Sequence, residues 1–202
     1  MTIRSQIESI FKGKAFERPL FYSYEGGLRF ELSEGGSYIN RFLTANQKAG
    51  EICHAIFKQQ ETATVCLRFY GSKKLLGSLS MFRELKELNI LVTQNSEYWS
   101  EPDEADDDFY SHYIAFNVSK ETIKTLLWCA CASDFGHIKP NPRVAVYFFN
   151  FDQEVVAFPY DDRGMDVVGN NHSFLKTIYT ELNQYLLDYD RESMEATFNE
   201  RS

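Results

Sequence analysis

Two kinds of apolar spacing divide the chain into helices and strands. Apolar residues recur every three or four positions, as one face of a helix requires, at 3–11, 38–60, 75–88, 123–131 and 174–186, with a last turn at 192–198. The fourth of these helices is expected to open at Ser119 and to end at Gly136. β-Branched and aromatic runs, typical of strands, occur at 62–70, 109–116, 144–149, 154–158 and 165–168. The strands are central and late and are compatible with hairpins. This order predicts an α+β fold with a mainly antiparallel or mixed central sheet covered by helices.

Local signals set several expected boundaries. Thr2 is suited to cap the first helix, and Ser173 to cap the helix that follows the last strand. A break in the second helix is expected near Gly50. Two glycine pairs flank the segment 28–32, which we interpret as a short strand or hairpin between turns.

The chain length fits one domain. With 202 residues, we expect residues 1–202 to form a single domain, within which residues 1–60 could form a helical subregion. The 44% apolar content excludes a disordered chain, because it is sufficient to build a hydrophobic core.

Cysteine use and the amino terminus indicate the compartment. No export signal is visible at the amino terminus, and no run approaches the roughly 18 apolar residues that a membrane span needs. The cysteines have apolar neighbours and form no Cys-x-x-Cys motif, so we expect buried free thiols in a reducing compartment. The sequence therefore predicts a cytoplasmic protein without a membrane partner. The four cysteines are Cys53, Cys66, Cys129 and Cys131.

Negative charge is concentrated in one segment. Seven of the 29 acidic residues lie at 97–108, which leaves 22 acids against 21 Lys and Arg elsewhere. We expect residues 93–108 to form an exposed loop, which is either a solvated surface segment or a surface that steers a basic protein. Such a loop repels nucleic acid, so no direct nucleic-acid partner is expected. The predicted partner-binding residues are Trp99, Glu101, Asp103, Glu104, Asp106, Asp107 and Asp108.

A compact charged turn follows at 160–166. Carboxylates around one arginine could serve acid–base chemistry or hold a divalent cation, with His172 as a further candidate. They could equally form a tight turn, in which a carboxylate accepts backbone amides and pairs with the arginine. We favour the structural interpretation, because no second motif supplies a nucleophile or a metal triad. The structural motif comprises Asp161, Asp162, Arg163, Gly164 and Asp166.

The histidines do not form a metal motif either. They are dispersed, and none has another His or Cys at the i+3 or i+4 spacing of a helical metal pair. The glycine pairs also lack the spacing of phosphate-binding loops. We therefore predict no catalytic residue, no metal and no cofactor.

Two short signatures carry a resemblance to a known family. The turn Tyr160-Asp161-Asp162-Arg163-Gly164, followed by an amphipathic helix and Asp188-Tyr189-Asp190-Arg191, resembles an uncharacterised bacterial domain family. Some small bacterial proteins of this kind resemble immunity proteins of contact-dependent growth inhibition and other polymorphic toxin systems. The resemblance implies a non-enzymatic protein that binds a cognate toxin, expected to be a basic nuclease domain, and blocks its active site or substrate cleft. The alternative is an enzyme or small-ligand-binding domain that uses the charged turn.

The two signatures are expected to contact one another. We predict that Asp161 or Asp162 pairs with Arg163 or with Arg191, so that the turn and the second signature form one structural unit.

Overall fold

A central antiparallel sheet organises the protein. The computed structural model describes residues 1–73, 79–92, 95–103 and 108–199. Within these ranges seven strands form one sheet in the order β1-β7-β6-β5-β2-β4-β3, and every strand pairing is antiparallel. The strands are β1 (Leu28–Glu31), β2 (Thr62–Ser72), β3 (Glu97–Pro102), β4 (Phe109–Ser119), β5 (Ala145–Asn150), β6 (Val155–Pro159) and β7 (Gly164–Gly169). The predicted α+β class is confirmed.

Helices cover the sheet. In the described part of the chain they are α1 (Ile3–Phe11), α2 (Tyr38–Ile56), α3 (Leu79–Glu87), α4 (Thr122–Cys131), α5 (His172–Glu181) and α6 (Arg191–Asn199). Thr2 caps α1 as predicted, with its side chain accepting a bond from the Ser5 amide. The predicted start of the third helix falls partly on residues 75–78, which lie outside the described residues.

Two expected boundaries were wrong. Helix α2 continues through Gly50 without a break. A single glycine costs only about 1 kcal/mol in a helix, and the buried apolar face of α2 outweighs that cost. Asn171, not Ser173, caps α5, because its side chain accepts the bond from the Phe174 amide.

The sheet is apolar on both faces, because successive side chains of a strand point to opposite sides. One face packs against α2 to α6 and contributes Val65, Leu67, Val146 and Phe148 to the larger core. The other face lies under α1 and the segment that follows it, with a smaller core of Ile7, Phe11, Trp99, Tyr147 and Phe158 among others.

The two ends of the chain share this sheet. The first strand, β1, pairs with the last strand, β7, so residues before position 60 are built into the same sheet as the carboxyl-terminal half. All four cysteines are buried and free, as predicted. In the described ranges, no helix combines the length and apolar character needed to cross a membrane.

Candidate functional site

The acidic segment forms part of a hairpin. The expectation of a loop over 93–108 was wrong for Glu97–Pro102, which forms β3 and pairs with β4 at the edge of the sheet. The Asp103 amide continues this pairing by donating to the Phe109 carbonyl at 2.9 Å. We call the segment 97–119 the acidic hairpin. Its predicted binding residues Glu101 and Asp108 are exposed and Asp103 is partly exposed, whereas Glu104, Asp106 and Asp107 lie outside the described residues.

Trp99 is a core residue and not a partner-facing anchor. Its side chain is 8% exposed, and its ring stacks on Tyr113 with centroids 5.0 Å apart and planes 5° apart. As the only buried position of β3, it fixes the strand to the smaller core. The aromatic residues that the hairpin does expose are Tyr98, at 47%, and Phe109, at 50%.

Glu97 has a structural role that was not predicted from the sequence, where it is one of a run of acidic residues. Its carboxylate accepts bonds from the backbone amides of Ile3 at 2.5 Å and Arg4 at 2.9 Å, at the start of α1. A carboxylate is favourable there because the first amides of a helix lack partners and carry partial positive charge. Glu97 thus joins β3 to α1. Among the acids at 97–103 and 108, Glu101 also contacts α1, through a solvent-exposed pair with Arg4 at 3.4 Å.

The carboxylates of the charged turn are held by arginines and amides. Asp161 accepts the Arg163 amide at 2.7 Å and pairs with the Arg163 side chain, as predicted. Asp162 is 1% exposed and pairs with Arg41 of α2 at 2.7 Å, while Ser33 donates to its backbone carbonyl. Because these bonds tie the turn to α2 and to the segment after β1, they favour a structural role for the turn.

Arg29 connects the charged turn to the second signature, a role that sequence analysis missed. It binds Asp166 through Nε at 2.7 Å and Nη2 at 3.0 Å, and Asp190 through Nη1 at 3.2 Å. The Tyr22 hydroxyl donates to the same Asp190 carboxylate at 2.8 Å. Burial raises the pKa of Asp166, and the bonds from Arg29 and from the Phe21 amide oppose that rise. We call Arg29, Asp166, Asp190 and Tyr22 the charged network.

The second signature joins the network differently from the prediction. Arg191 does not reach the turn but pairs with Asp188 at 2.8 Å and donates to the Leu186 carbonyl. The link from the charged turn to the second signature runs through Asp166, Arg29 and Asp190 instead.

His172 lies at the surface, and the described residues contain no cluster of metal ligands. His172 is exposed at the first residue of α5, beside Gly26. No group of three or more His, Cys, Asp or Glu side chains that could hold a metal ion occurs in the part of the chain that the structure describes.

A cleft of about 550 Å³ opens beside the charged turn. The lining includes the side chains Arg18, Leu20, Arg29, Phe158, Tyr160 and Arg163. Asp166 is also at its wall, but both of its oxygens already accept bonds from Arg29, and one accepts the Phe21 amide as well. The groups that the turn offers to this cleft are therefore Arg163 and Tyr160, and not a free carboxylate.

Comparisons with known proteins identify the family of the chain. Searches of curated proteins and of solved structures gave no significant match. Residues 3–190, which include the charged turn, the acidic hairpin and the second signature as far as Asp190, match the family described as "Domain of unknown function (DUF3885)". The protein therefore belongs to this DUF3885 family.

Proposed function

We propose that this protein is an immunity protein that binds a cognate bacterial toxin in the cytoplasm and neutralises it without catalysing a reaction. The observation that carries the proposal is the acidic hairpin, where the charge of an otherwise balanced chain is concentrated at a sheet edge. The resemblance of the two signatures to domains associated with toxin immunity supplies the toxin as partner.

The support beneath the acidic charges is rigid. Trp99 stacks in the smaller core, and Glu97 binds the first amides of α1, so β3 is held to the core and to α1 on one face. Among the proposed binding acids, Glu101 lies on this strand, and a charge on a fixed strand loses less conformational freedom on binding than a charge on a mobile loop. The arrangement suits a surface that steers a basic partner and binds it without rearrangement.

The expected partner is a basic nuclease domain. A substrate cleft for nucleic acid is lined by Lys and Arg that contact phosphates. The carboxylates of the hairpin, among them Glu101, Asp103 and Asp108, would occupy such a cleft in place of phosphates. The exposed ring of Phe109, which follows Asp108, adds an apolar contact beside the charges, as aromatic residues commonly do at interfaces.

The enzyme alternative has less support. An acid–base or metal role for Asp161, Asp162 and Asp166 requires a carboxylate oxygen that is available to a substrate or an ion. Each of these carboxylates instead accepts bonds from an arginine of the same chain, namely Arg163, Arg41 and Arg29 respectively.

Co-expression tests the proposal. The product of the reading frame upstream of this gene is expressed in a sensitive bacterial host, alone or with this protein. We expect the upstream product to arrest growth and this protein to restore it. A variant with Glu101, Asp103 and Asp108 changed to Gln or Asn should protect less well, whereas Glu181, Glu192 and Glu195 changed to Gln should protect fully. An upstream product that arrests growth equally with and without this protein would contradict the proposal.

A further inference from the structure

We propose that the cleft beside the charged turn binds a small organic anion, with a phosphate or carboxylate group facing Arg18 and Arg163 and an apolar body against Pro19 and Tyr160. This inference is independent of toxin binding, because the cleft lies at β6 and β7 and the acidic hairpin lies at the far edge of the sheet. Its volume of about 550 Å³ falls within the range of about 300–1,000 Å³ that small-molecule sites occupy.

Arg18 supplies an exposed cation to the cleft. Its guanidinium lies 5.0 Å from the centroid of the Phe158 ring, and its side chain is exposed. Within the described ranges, the ion pairs of the chain include no carboxylate partner for Arg18. In a protein of net charge −8, an arginine held on an aromatic ring without a carboxylate is suited to an external anion.

The other two arginines of the cleft, Arg163 and Arg29, have N–H groups that their ion pairs do not use. Arg163 is 68% exposed, and it binds Asp161 through Nε and Nη2, so the Nη1 group is not used in that pair. Arg29 uses one N–H on each of its three nitrogens for Asp166 and Asp190. A guanidinium carries five N–H groups, so one on each terminal nitrogen of Arg29 is not used by these bonds.

An anion fits this cleft better than a cation. Asp166 is the acidic residue of the lining, and both of its oxygens are already occupied by Arg29 and the Phe21 amide. A cation would meet three guanidinium groups and find no free carboxylate on this lining. A phosphate or carboxylate matches the paired donors of a guanidinium.

The segment that carries Arg18 is fixed before any ligand binds. Arg68 of β2 donates to the Phe16 carbonyl at 3.0 Å, on one side of Arg18. On the other side, Leu20 is fully buried and the Phe21 amide donates to Asp166 at 3.0 Å. Binding therefore requires little ordering of this segment, which favours affinity.

The apolar wall explains why the ligand should carry an organic body. Leu20 and Phe158 line the cleft but are already buried, so its exposed carbon comes from Pro19 and the partly exposed Tyr160. The Tyr160 ring lies across Gly164, where a Cβ would meet its hydroxyl at 1.8 Å. Burial raises the pKa of Tyr160 to about 12, so its hydroxyl stays protonated and can donate to the anion. An inorganic anion would leave these apolar side chains exposed to water and would gain no free energy from burying them.

Calorimetric titration of the full chain with phenyl phosphate, benzoate and inorganic phosphate tests the proposal. We expect one saturable site per chain for phenyl phosphate or benzoate, with the tighter of the two identifying a phosphate or carboxylate ligand, and weaker binding of inorganic phosphate. Arg18→Gln should weaken binding about tenfold or more, as expected for the loss of a charged hydrogen bond. Arg83→Gln is the matched control, because Arg83 is exposed on α3 at the other face of the sheet.

Melting without ligand should be the same for both variants and the parent, since both side chains are exposed. Absence of saturable binding by phenyl phosphate and benzoate in the millimolar range would overturn the proposal. Equal weakening by Arg18→Gln and Arg83→Gln would also overturn it, because the loss would then reflect net charge alone. Inorganic phosphate that binds as tightly as phenyl phosphate would refute the role of the apolar wall.

Discussion

Replacing Arg29 by methionine should destabilise the protein more than any exposed arginine substitution. The side chains of Asp166 and Asp190 are 1% and 6% exposed, and both pair with Arg29. Methionine keeps much of the apolar stem but leaves two buried carboxylates without their cation. Removal of one partner from a buried ion pair costs about 3–5 kcal/mol, because the remaining charge is left without compensation.

The expected loss of unfolding free energy is large enough to measure by ordinary thermal or urea denaturation. For a chain of about 200 residues, each kcal/mol lowers Tm by about 2–4 °C, so Arg29→Met should lower Tm by about 6–20 °C. Urea unfolding followed by circular dichroism gives the free energy of unfolding directly. The matched control is Arg4→Met, since Arg4 pairs with Glu8 and Glu101 at the surface and such pairs contribute about 0–1 kcal/mol.

A double variant separates the ion pair from loss of packing. Asp166→Asn removes the buried charge, so the combination of Arg29→Met with Asp166→Asn should lose less stability than the sum of the single changes. If Arg29→Met loses no more stability than Arg4→Met, or if the two changes at Arg29 and Asp166 are additive, the charged network does not hold the charged turn and the second signature together.

Three further predictions concern the core. Gly169→Ala should lower the free energy of unfolding by about 3 kcal/mol or more in urea titrations, because a Cβ there would lie 2.0 Å from the Glu154 carbonyl oxygen; an unchanged midpoint would contradict this contact. Trp99→Ala should cost about 3–5 kcal/mol in the same assay, and a loss of binding with unchanged stability would instead make Trp99 an interface residue. At pH 9, Ellman's reagent should label no cysteine in the native protein and all four in urea, since burial raises the pKa of Cys129 and Cys131 to about 12. Fast labelling of the native protein would mean that the thiols are accessible.

The regular elements were predictable where many buried residues repeat with one period. Strands β5, β6 and β7 are buried almost throughout, so their β-branched and aromatic runs predicted the central part of the sheet. Strand β3 was missed for the opposite reason. At the sheet edge it buries only Trp99, and its charged positions are those expected of a loop.

The candidate sites depended on contacts that no local pattern contains. Asp161 and Arg163 are two positions apart, and their pairing was predicted correctly. Arg29 is separated from Asp166 by 137 positions and from Asp190 by 161, so its pairing required the order of the strands. The cleft is equally non-local, since Arg18 precedes the first strand and Tyr160 precedes the last.

Binding of a basic toxin by the acidic hairpin, as proposed, can be measured by stopped-flow association kinetics. A catalytically inactive form of the upstream gene product is mixed with the parent protein, with a hairpin variant and with a control in which Glu181, Glu192 and Glu195 are changed to Gln. The hairpin variant has Gln or Asn in place of Glu101, Asp103, Glu104, Asp106, Asp107 and Asp108.

We expect the hairpin variant to associate with the toxin about tenfold or more slowly than the parent protein does at low ionic strength. Added salt should change the association rate of the variant little. The control should keep the rate and the salt dependence of the parent. Association of the hairpin variant at the parental rate, with the parental salt dependence, would contradict the claim.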